Sequence, residues 1–497
     1  MSDRGSSEPV ATLVLVPLVG GTGGWVGGAA VILRAIFSRD LFHVAADHAA
    51  DFLESLVDRP VRAEESDPRV LRAALGGPLP ETGVAARLVL DELVEHAGPG
   101  IVASQSPRYF GFVVGGSIPA SLVADWMAAA WDQNAGGYLL SPASGVLQEI
   151  VGDWCKELLG LPSSASHGTV TGTQMAHVTC LAVARHHILA KVGWDAEADG
   201  LVGAPRIRVL VGEHRHVTVD RAAQLLGLGS NALVPVAADE RGRMRPDALQ
   251  AALAAGAGPV IVCLQAGEVN TGAFDQFVPL VEAARAAEAW VHVDGAFGLW
   301  AAASRRHRHL LDGVSGADSW ATDGHKWLNV PYDSGLLFTA HPDSHRAAMA
   351  SHAPYLSIAR AGERDEDDWT PDFSRRSRAI ALYAALRWLG REGVAEMVGR
   401  CCDCAMRFAE RLGAVDEVEV LNDVVLNQVL VRFGGDDAMT DRVIEAAQAD
   451  GTCWMSGTTW RGRRAMRISV TNWATTFDDV DRSVEAIFRC LRAAGVV

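Results

Sequence analysis

A basic surplus is missing from this chain. Its 497 residues carry a formal net charge of −16, which leaves no excess of cations to neutralise nucleic-acid phosphates or an anionic membrane surface. A disulfide framework is missing too, because eight cysteines are few for this length. Cys401, Cys402 and Cys404 form the one cluster, and the CxxC pair Cys401 and Cys404 has no second pair or His-x-x-His partner to complete a zinc site. The cluster falls in an Ala/Arg/Glu-rich helical pattern, so buried helix positions are expected, and a reducing cytoplasm fits. Internal repeats and long low-complexity tracts are absent. Charge disappears altogether from Pro9 to Leu33, a length that could span a bilayer. Yet Gly20, Gly21, Gly23, Gly24, Gly27 and Gly28 make it a poor helix, and no basic n-region or clear cleavage site accompanies it. Residues 1–37 are therefore read as an apolar, Gly-rich leader, then as a core segment or interface arm, and last as a membrane span.

What remains describes a soluble globular protein: 49% hydrophobic and 21% charged residues. The length calls for more than one folding unit. Residues 38–104 read as helical, with "DLFHVAADHAADFLESLV" and "ARLVLDELVEHA" carrying apolar residues at three- and four-residue spacing. From 105 to 350, short apolar runs alternate with helical patterns. "IRVLV" (Ile207–Val211), "PVIVCL" (Pro259–Leu264), "AWVHV" (Ala289–Val293) and "SGLLF" (Ser334–Phe338) are the runs; Gln174 to Lys191 and Phe277 to Ala287 are among the helices. This alternation predicts an α/β domain with a mainly parallel sheet. Residues 351–497 read as a smaller α+β domain. Ligands of open α/β folds bind beyond the carboxyl ends of the strands, which directs the search for chemistry there.

"ATDGHKWLNVPYDSG" (Ala321–Gly335) places a lysine between a histidine and a tryptophan in an apolar, turn-rich stretch. Desolvation favours the neutral amine, a nucleophile toward carbonyls, so Lys326 is a candidate Schiff-base residue. "VHVDGAFG" (Val291–Gly298) sets Asp294 at a strand end, where a carboxylate could hold a protonated heteroaromatic nitrogen. Ala296 beside it would let a flat ring approach. "GTVTGTQMAH" (Gly168–His177) is a Gly/Thr turn opening a helix, and the N–H groups of Gly172, Thr173 and Gln174 could hold a phosphate. "GEHRHVTVDRAAQLLG" offers His216 to lie flat on a ring, and "LQAGEVNTGAFD" offers Gln265. Taken singly, each has a plain structural reading: a helix cap, an exposed histidine, a helix start. Together they follow strands or precede helices around one lysine.

"HVDGAFG", "ADSWATDGHKWLNVPYDSG" and "SPASGVLQEIVGDWCKELLGLP" (Ser141–Pro162) resemble the group II pyridoxal-phosphate-dependent amino-acid decarboxylases, which include aromatic-amino-acid, histidine and glutamate decarboxylases. The resemblance runs from about Phe42 to the C-terminus. It implies the fold-type I architecture: a large domain with a mainly parallel seven-stranded sheet, an N-terminal helical segment and a small C-terminal α+β domain. It implies pyridoxal 5'-phosphate as cofactor, held by Lys326 as a Schiff base, with Asp294 at the pyridine nitrogen. It sets His216 on one ring face and Ala296 on the other, and Thr173, Gln174 and His325 near the phosphate, with Asp323 just upstream. Catalytic roles then fall to Lys326, His216 and Asp294. The expected reaction is decarboxylation of an L-amino acid to the amine and carbon dioxide, in a cytoplasmic homodimer that needs neither nucleic acid nor membrane.

One departure stands out. Many relatives carry a loop tyrosine thought to protonate Cα, but "SIARAGERDEDDWTPDFSRRSRA" (Ser357–Ala379) has none. Tyr355 precedes it, and His216 or Lys326 could donate instead. The same loss permits an aldehyde synthase, and an aminotransferase or lyase would use the same scaffold. A non-catalytic scaffold has no use for Lys326, Asp294 and His216 together. The run Gly362–Asp368 is expected to be a solvated loop, with a gate over the site as the lesser reading. Phe110 and Phe112 in "PRYFGFVVGG" suggest an aromatic or bulky aliphatic substrate, and Arg467 could meet a carboxylate or serve an ordinary salt bridge.

Overall fold

The computed structural model describes residues 39–351 and 362–495. The apolar leader and Tyr355 lie outside the described residues. Residues 39–55 and 68–98 form one compact unit and the remainder a second. The first consists of the helices Arg39–Ser55, Pro68–Leu75 and Ala86–Ala97, none of which buries a residue fully.

The second unit holds two sheets. Seven strands make the larger: β1 (Ser166–Val170), β2 (Arg208–Gly212), β3 (Leu233–Val236), β4 (Val260–Gln265), β5 (Trp290–Asp294), β6 (Ser319–Asp323) and β7 (Gly335–Thr339), in the order β1-β7-β6-β5-β4-β2-β3. β4, β5, β6 and β7 are buried along their whole length, which is why β4 and β7 carry continuous and not alternating apolar runs. Every pairing is parallel except those of β7, which runs against both neighbours. β1 and β6 are consequently parallel across it. Four antiparallel strands make the smaller sheet, β8 (Val418–Val420), β9 (Gln428–Phe433), β10 (Ser456–Trp460) and β11 (Arg463–Ser469), ordered β10-β11-β9-β8. Helices Asp437–Asp450 and Phe477–Ala493 accompany it, the latter opened by a Thr476/Asp479 capping box. A long helix, Arg378–Leu412, is broken at Gly390, whose φ of 60° is open to glycine. It carries Cys401, Cys402 and Cys404, all buried, and burial pushes their thiols up, Cys401 to about 11 and Cys404 to about 12. The cluster is packing, as the helical pattern implied. No described helix is long and apolar enough to cross a membrane.

Buried histidines give the fold a pH dependence. Burial pushes His292 and His345 down to about 3 and His167 well below its ordinary value. Folded values below unfolded ones mean that the unfolded chain takes up these protons first as pH falls. Their contribution is therefore full above about pH 6.5 and is lost toward pH 3, at up to about 1.4 kcal/mol per pH unit for each ring. Asp275, pushed up to about 6 by burial, works in the opposite sense. Urea unfolding should therefore compare wild type with His345→Gln. The loss of stability between about pH 7 and about pH 5 should be smaller in the variant; equal losses would show that His345 is not buried neutral.

Candidate active site

Because β1, β2, β4, β5 and β6 run the same way, their carboxyl ends share one rim. Gly172–Gln174 follow β1, His216 follows β2, Gln265 ends β4, Asp294 ends β5, and Asp323 to Lys326 close β6. The rim of an open α/β sheet is where ligands bind.

The lysine loop is tied down on all sides. Lys326 Nζ lies 3.2 Å from Asp323 Oδ2. His325 Nδ1 accepts from Ser334 N at 3.1 Å, its Nε2 lies 3.5 Å from Asp323 Oδ1, and the Tyr332 ring stacks on it at 4.4 Å. Burial lowers the His325 imidazole. Asn329, in the left-handed region with φ 56°, is fully buried. Its Oδ1 accepts from Gly116 N at 2.7 Å and Trp473 N at 3.0 Å, and its Nδ2 donates to Thr471 O at 2.9 Å. One amide thus joins the lysine loop to the 110–116 segment and to the chain after β11. Sequence reasoning missed this residue, whose only signal was an Asn, tolerant of that conformation, two places after the tryptophan.

Asp294 is buried with two donors in reach: Ala296 N at 3.1 Å on Oδ1 and His177 Nε2 at 3.4 Å on Oδ2. Burial alone would raise its carboxyl, but His177, His216 and Lys326 outweigh this and hold it well below the usual carboxylate range. His216 caps the helix Val217–Leu225, with Nδ1 2.8 Å from Thr218 Oγ1. Burial lowers its imidazole, with Lys326, His177 and Arg467 adding to the effect and Asp294 opposing it. Arg467 is 9% exposed, and its Nε has no partner. The one carboxylate acting on it, Glu268, is spent on the N–H groups of Asn270 and Thr271. A buried guanidinium without a bonded counter-ion, close enough to His216 to influence it, is suited to an anionic ligand.

Whether the rim suits a phosphorylated ring is decided by the turn after β1. Asp323 Oδ1 takes the Thr173 N–H at 2.6 Å, so that donor is committed. Thr173 Oγ1 is buried with no partner, and Gln174 N–H, in the first helical turn, has no helical acceptor. Space is kept by glycine: a Cβ on Gly172 would meet His325 Cε1 at 3.0 Å, and one on Gly335 would meet Gly172 Cα at 2.4 Å. An orphaned hydroxyl, free N–H groups and a cradle that a methyl group would fill agree with a phosphate there. The ordered side chains around Asp294 and Lys326 supply a ring-nitrogen acceptor and an amine.

Other candidates are placed differently. Phe110 is buried edge-on against Phe408 at 4.9 Å, so it serves the core and not a pocket wall. Phe112 stands 60% exposed beside Trp454. Gln265 is buried, and its backbone N–H donates to Asp275 at 2.7 Å. Ala296 is half-buried, and its carbonyl accepts from Asp323 N at 2.9 Å. The run Gly362–Asp368 is not a solvated loop throughout. Glu366 is buried and paired with Arg364, which also reaches the His167 carbonyl, and Asp365 accepts from Tyr138 N at 2.7 Å. The acidic run has cationic and N–H partners, which the sequence pattern does not reveal. A cavity of about 1360 Å³ lies elsewhere, lined by Arg306, His309, Asp312 and Arg400 and by none of the rim residues.

The chain is similar to known proteins. The model of the pyridoxal-dependent decarboxylase conserved domain matches residues 68–433. The chain is 28% identical to a 4-hydroxyphenylacetaldehyde synthase of Rhodiola rosea, over 83% of this chain and 86% of that protein. It is 28% identical to tyrosine decarboxylase 1 of Narcissus pseudonarcissus, over 80% and 79%. Its fold matches the crystal structure of Oryza sativa TDC with PLP and tryptamine at a TM-score of 0.86 and 23% identity, covering 95% of this chain and 99% of that one.

Proposed function

The chain belongs to the pyridoxal-dependent decarboxylase family, and from that membership we infer that it decarboxylates an L-amino acid with an aromatic or bulky aliphatic side chain, using Lys326 and Asp294. It is a pyridoxal-phosphate-dependent carboxy-lyase. The observation that carries the site is the pairing of an amine and a buried carboxylate at the ends of adjacent parallel strands, β6 and β5, beneath one rim.

Bound pyridoxal phosphate supplies an electron sink for the pair released when a bond to the substrate Cα breaks. The chain's own residues do the rest. Lys326 would hold the cofactor through its aldehyde. Its amine, 3.2 Å from Asp323, is placed to exchange protons beside the substrate Cα. Asp294 would keep the ring nitrogen protonated, and His216 and Ala296 would hold the ring from either side. Thr173 Oγ1, the N–H groups of Gly172 and Gln174, and His325 would hold the phosphate, and Gln265 would lie near the ring. Arg467 meets the substrate carboxylate. Phe112 borders the substrate side chain.

Two further points support this reading at the level of the assembly. Val123, Trp126, Met127 and Trp131 are exposed on one face of the helix Pro119–Trp131, with Leu139 and Leu140 exposed just after it. An apolar stripe of this size suits a second copy of the chain, giving a homodimer. All eight cysteines are free and buried, which suits a reducing cytoplasm.

A second reading is favoured by a specific feature. The stretch 357–379 lacks tyrosine, and an aldehyde synthase is among the similar proteins. That outcome would consume dioxygen and water and release carbon dioxide, ammonia and hydrogen peroxide with the aldehyde. Incubating the holoenzyme with a panel of amino acids, while following carbon dioxide, amine, aldehyde and ammonia, tests both. Amine equal to carbon dioxide, largest with aromatic or bulky aliphatic substrates, is the expected result. Aldehyde with ammonia in place of amine would establish the second reading, and a keto acid without carbon dioxide would overturn both.

A further inference from the structure

Behind Asp294 lies a file of buried polar groups that the reaction does not otherwise use. Asp294 Oδ2 faces His177 Nε2 at 3.4 Å, and His177 Nδ1 lies 2.8 Å from His292 Nε2. His292 Nδ1 lies 2.9 Å from Ser319 Oγ, which in turn accepts from Trp290 Nε1 at 2.9 Å. His177, His292 and Ser319 have no exposure at all, and Trp290 is 1% exposed. The residues come from three elements: the helix Thr173–Ala190 and the strand neighbours β5 and β6, with β5 contributing three.

The direction of these bonds follows from the donors available. Indole N–H only donates, so Ser319 Oγ accepts from Trp290, and its own O–H is free to point at His292 Nδ1. His292 then carries its proton on Nε2 and donates to His177 Nδ1. His177 in turn carries its proton on Nε2, on the side that faces Asp294. Reversing the file would set a His177 lone pair against the carboxylate oxygen. The forward order needs only one N–H on each ring and no positive charge in a site without solvent, consistent with a His292 that burial pushes down to about 3.

We propose that Trp290, Ser319, His292 and His177 form a one-way donor chain ending on Asp294, and that His177 is thereby a positioning residue fixing that carboxylate as an oriented acceptor for the cofactor ring nitrogen. The proposal rests on the reading that Asp294 meets that nitrogen. The final link, at 3.4 Å, is longer than an ordinary N–H···O bond, and His177 Nε2 makes no hydrogen bond, so Asp294 Oδ2 is the acceptor it faces without closing on it. Ala296 N donates to Oδ1 and His177 Nε2 faces Oδ2, so rotation of the carboxylate would break the first and turn Oδ2 away from the second.

The test uses the full chain stripped of cofactor and titrated with pyridoxal phosphate, read by the absorption band of the bound cofactor and by its Kd. His177→Leu removes the donor, His177→Gln restores an N–H near the Nε2 position, and Asp294→Asn is the reference. A bond to a charged group is worth a factor of about ten to a hundred. His177→Leu should weaken cofactor binding by about that factor and shift the band toward that of Asp294→Asn, while His177→Gln stays within about threefold of wild type. His292→Leu should fall between them. Wild-type affinity and spectrum in His177→Leu would overturn the chain, as would equal losses in the Leu and Gln variants of His177 with unchanged melting temperatures. Should Asp294→Asn itself bind like wild type, the underlying reading of Asp294 would fail instead.

Discussion

Lys326→Ala is expected to lower turnover by at least about a thousandfold and to remove the covalent hold on the cofactor. No neighbouring amine can substitute. The chain contains only three lysines, Lys156, Lys191 and Lys326, and Lys156 is committed to the carbonyls of Ser163 and Ala165. The measurement is correspondingly clean: borohydride treatment of the holoenzyme, digestion and mass analysis. Wild type should carry the pyridoxyl group on the peptide containing residue 326, and the variant should carry it nowhere. A label on Lys156 or Lys191 in wild type would remove the basis of the site. Folding should survive, because Lys326 is partly exposed and its one ion-pair partner, Asp323, keeps the Thr173 N–H.

Asp294→Asn should be nearly as severe. The side chain keeps its volume, so packing is preserved, but the negative charge at the end of β5 is lost. An amide cannot hold a proton on the ring nitrogen as an anion does, and removing such a preorganised electrostatic partner costs about a hundred- to a thousandfold in kcat. Carbon dioxide release under saturating cofactor measures this loss separately from weaker binding. Activity within about threefold of wild type would show that the carboxylate does not face the ring. The substitution also changes the local charge balance: His216 and Lys326 lose the anion that now sits among them.

Much of this site could be read from residue order. A lysine between His and Trp is poor surface chemistry, and an aspartate ending an apolar run is a strand-end group in an α/β pattern. The strands that were overlooked explain what was not legible. β1 is "SHGTV" and β6 is "SWATD", both fully buried yet polar enough to fail an apolar-run criterion, because their polar atoms bond to neighbours inside the fold. β3, "LVPV", contains a proline that only its edge position allows. His177 was visible in the sequence but indistinguishable from a core histidine; its meaning depends on His292, which lies far along the chain and meets it only through packing. Arg467 had two readings of equal merit until the absence of a bonded carboxylate separated them. Glu366 misled in the other direction, since acidic runs are ordinarily solvated.

β7 runs against the grain of its sheet, and that has a consequence for biogenesis. β1 emerges from the ribosome early but has no partner until Gly335–Thr339 has been made and threaded between it and β6. Pairings across such sequence separations form slowly. The nascent large domain therefore waits with one edge unpaired, and the vitamin-derived group has nowhere to dock until synthesis has passed the lysine itself.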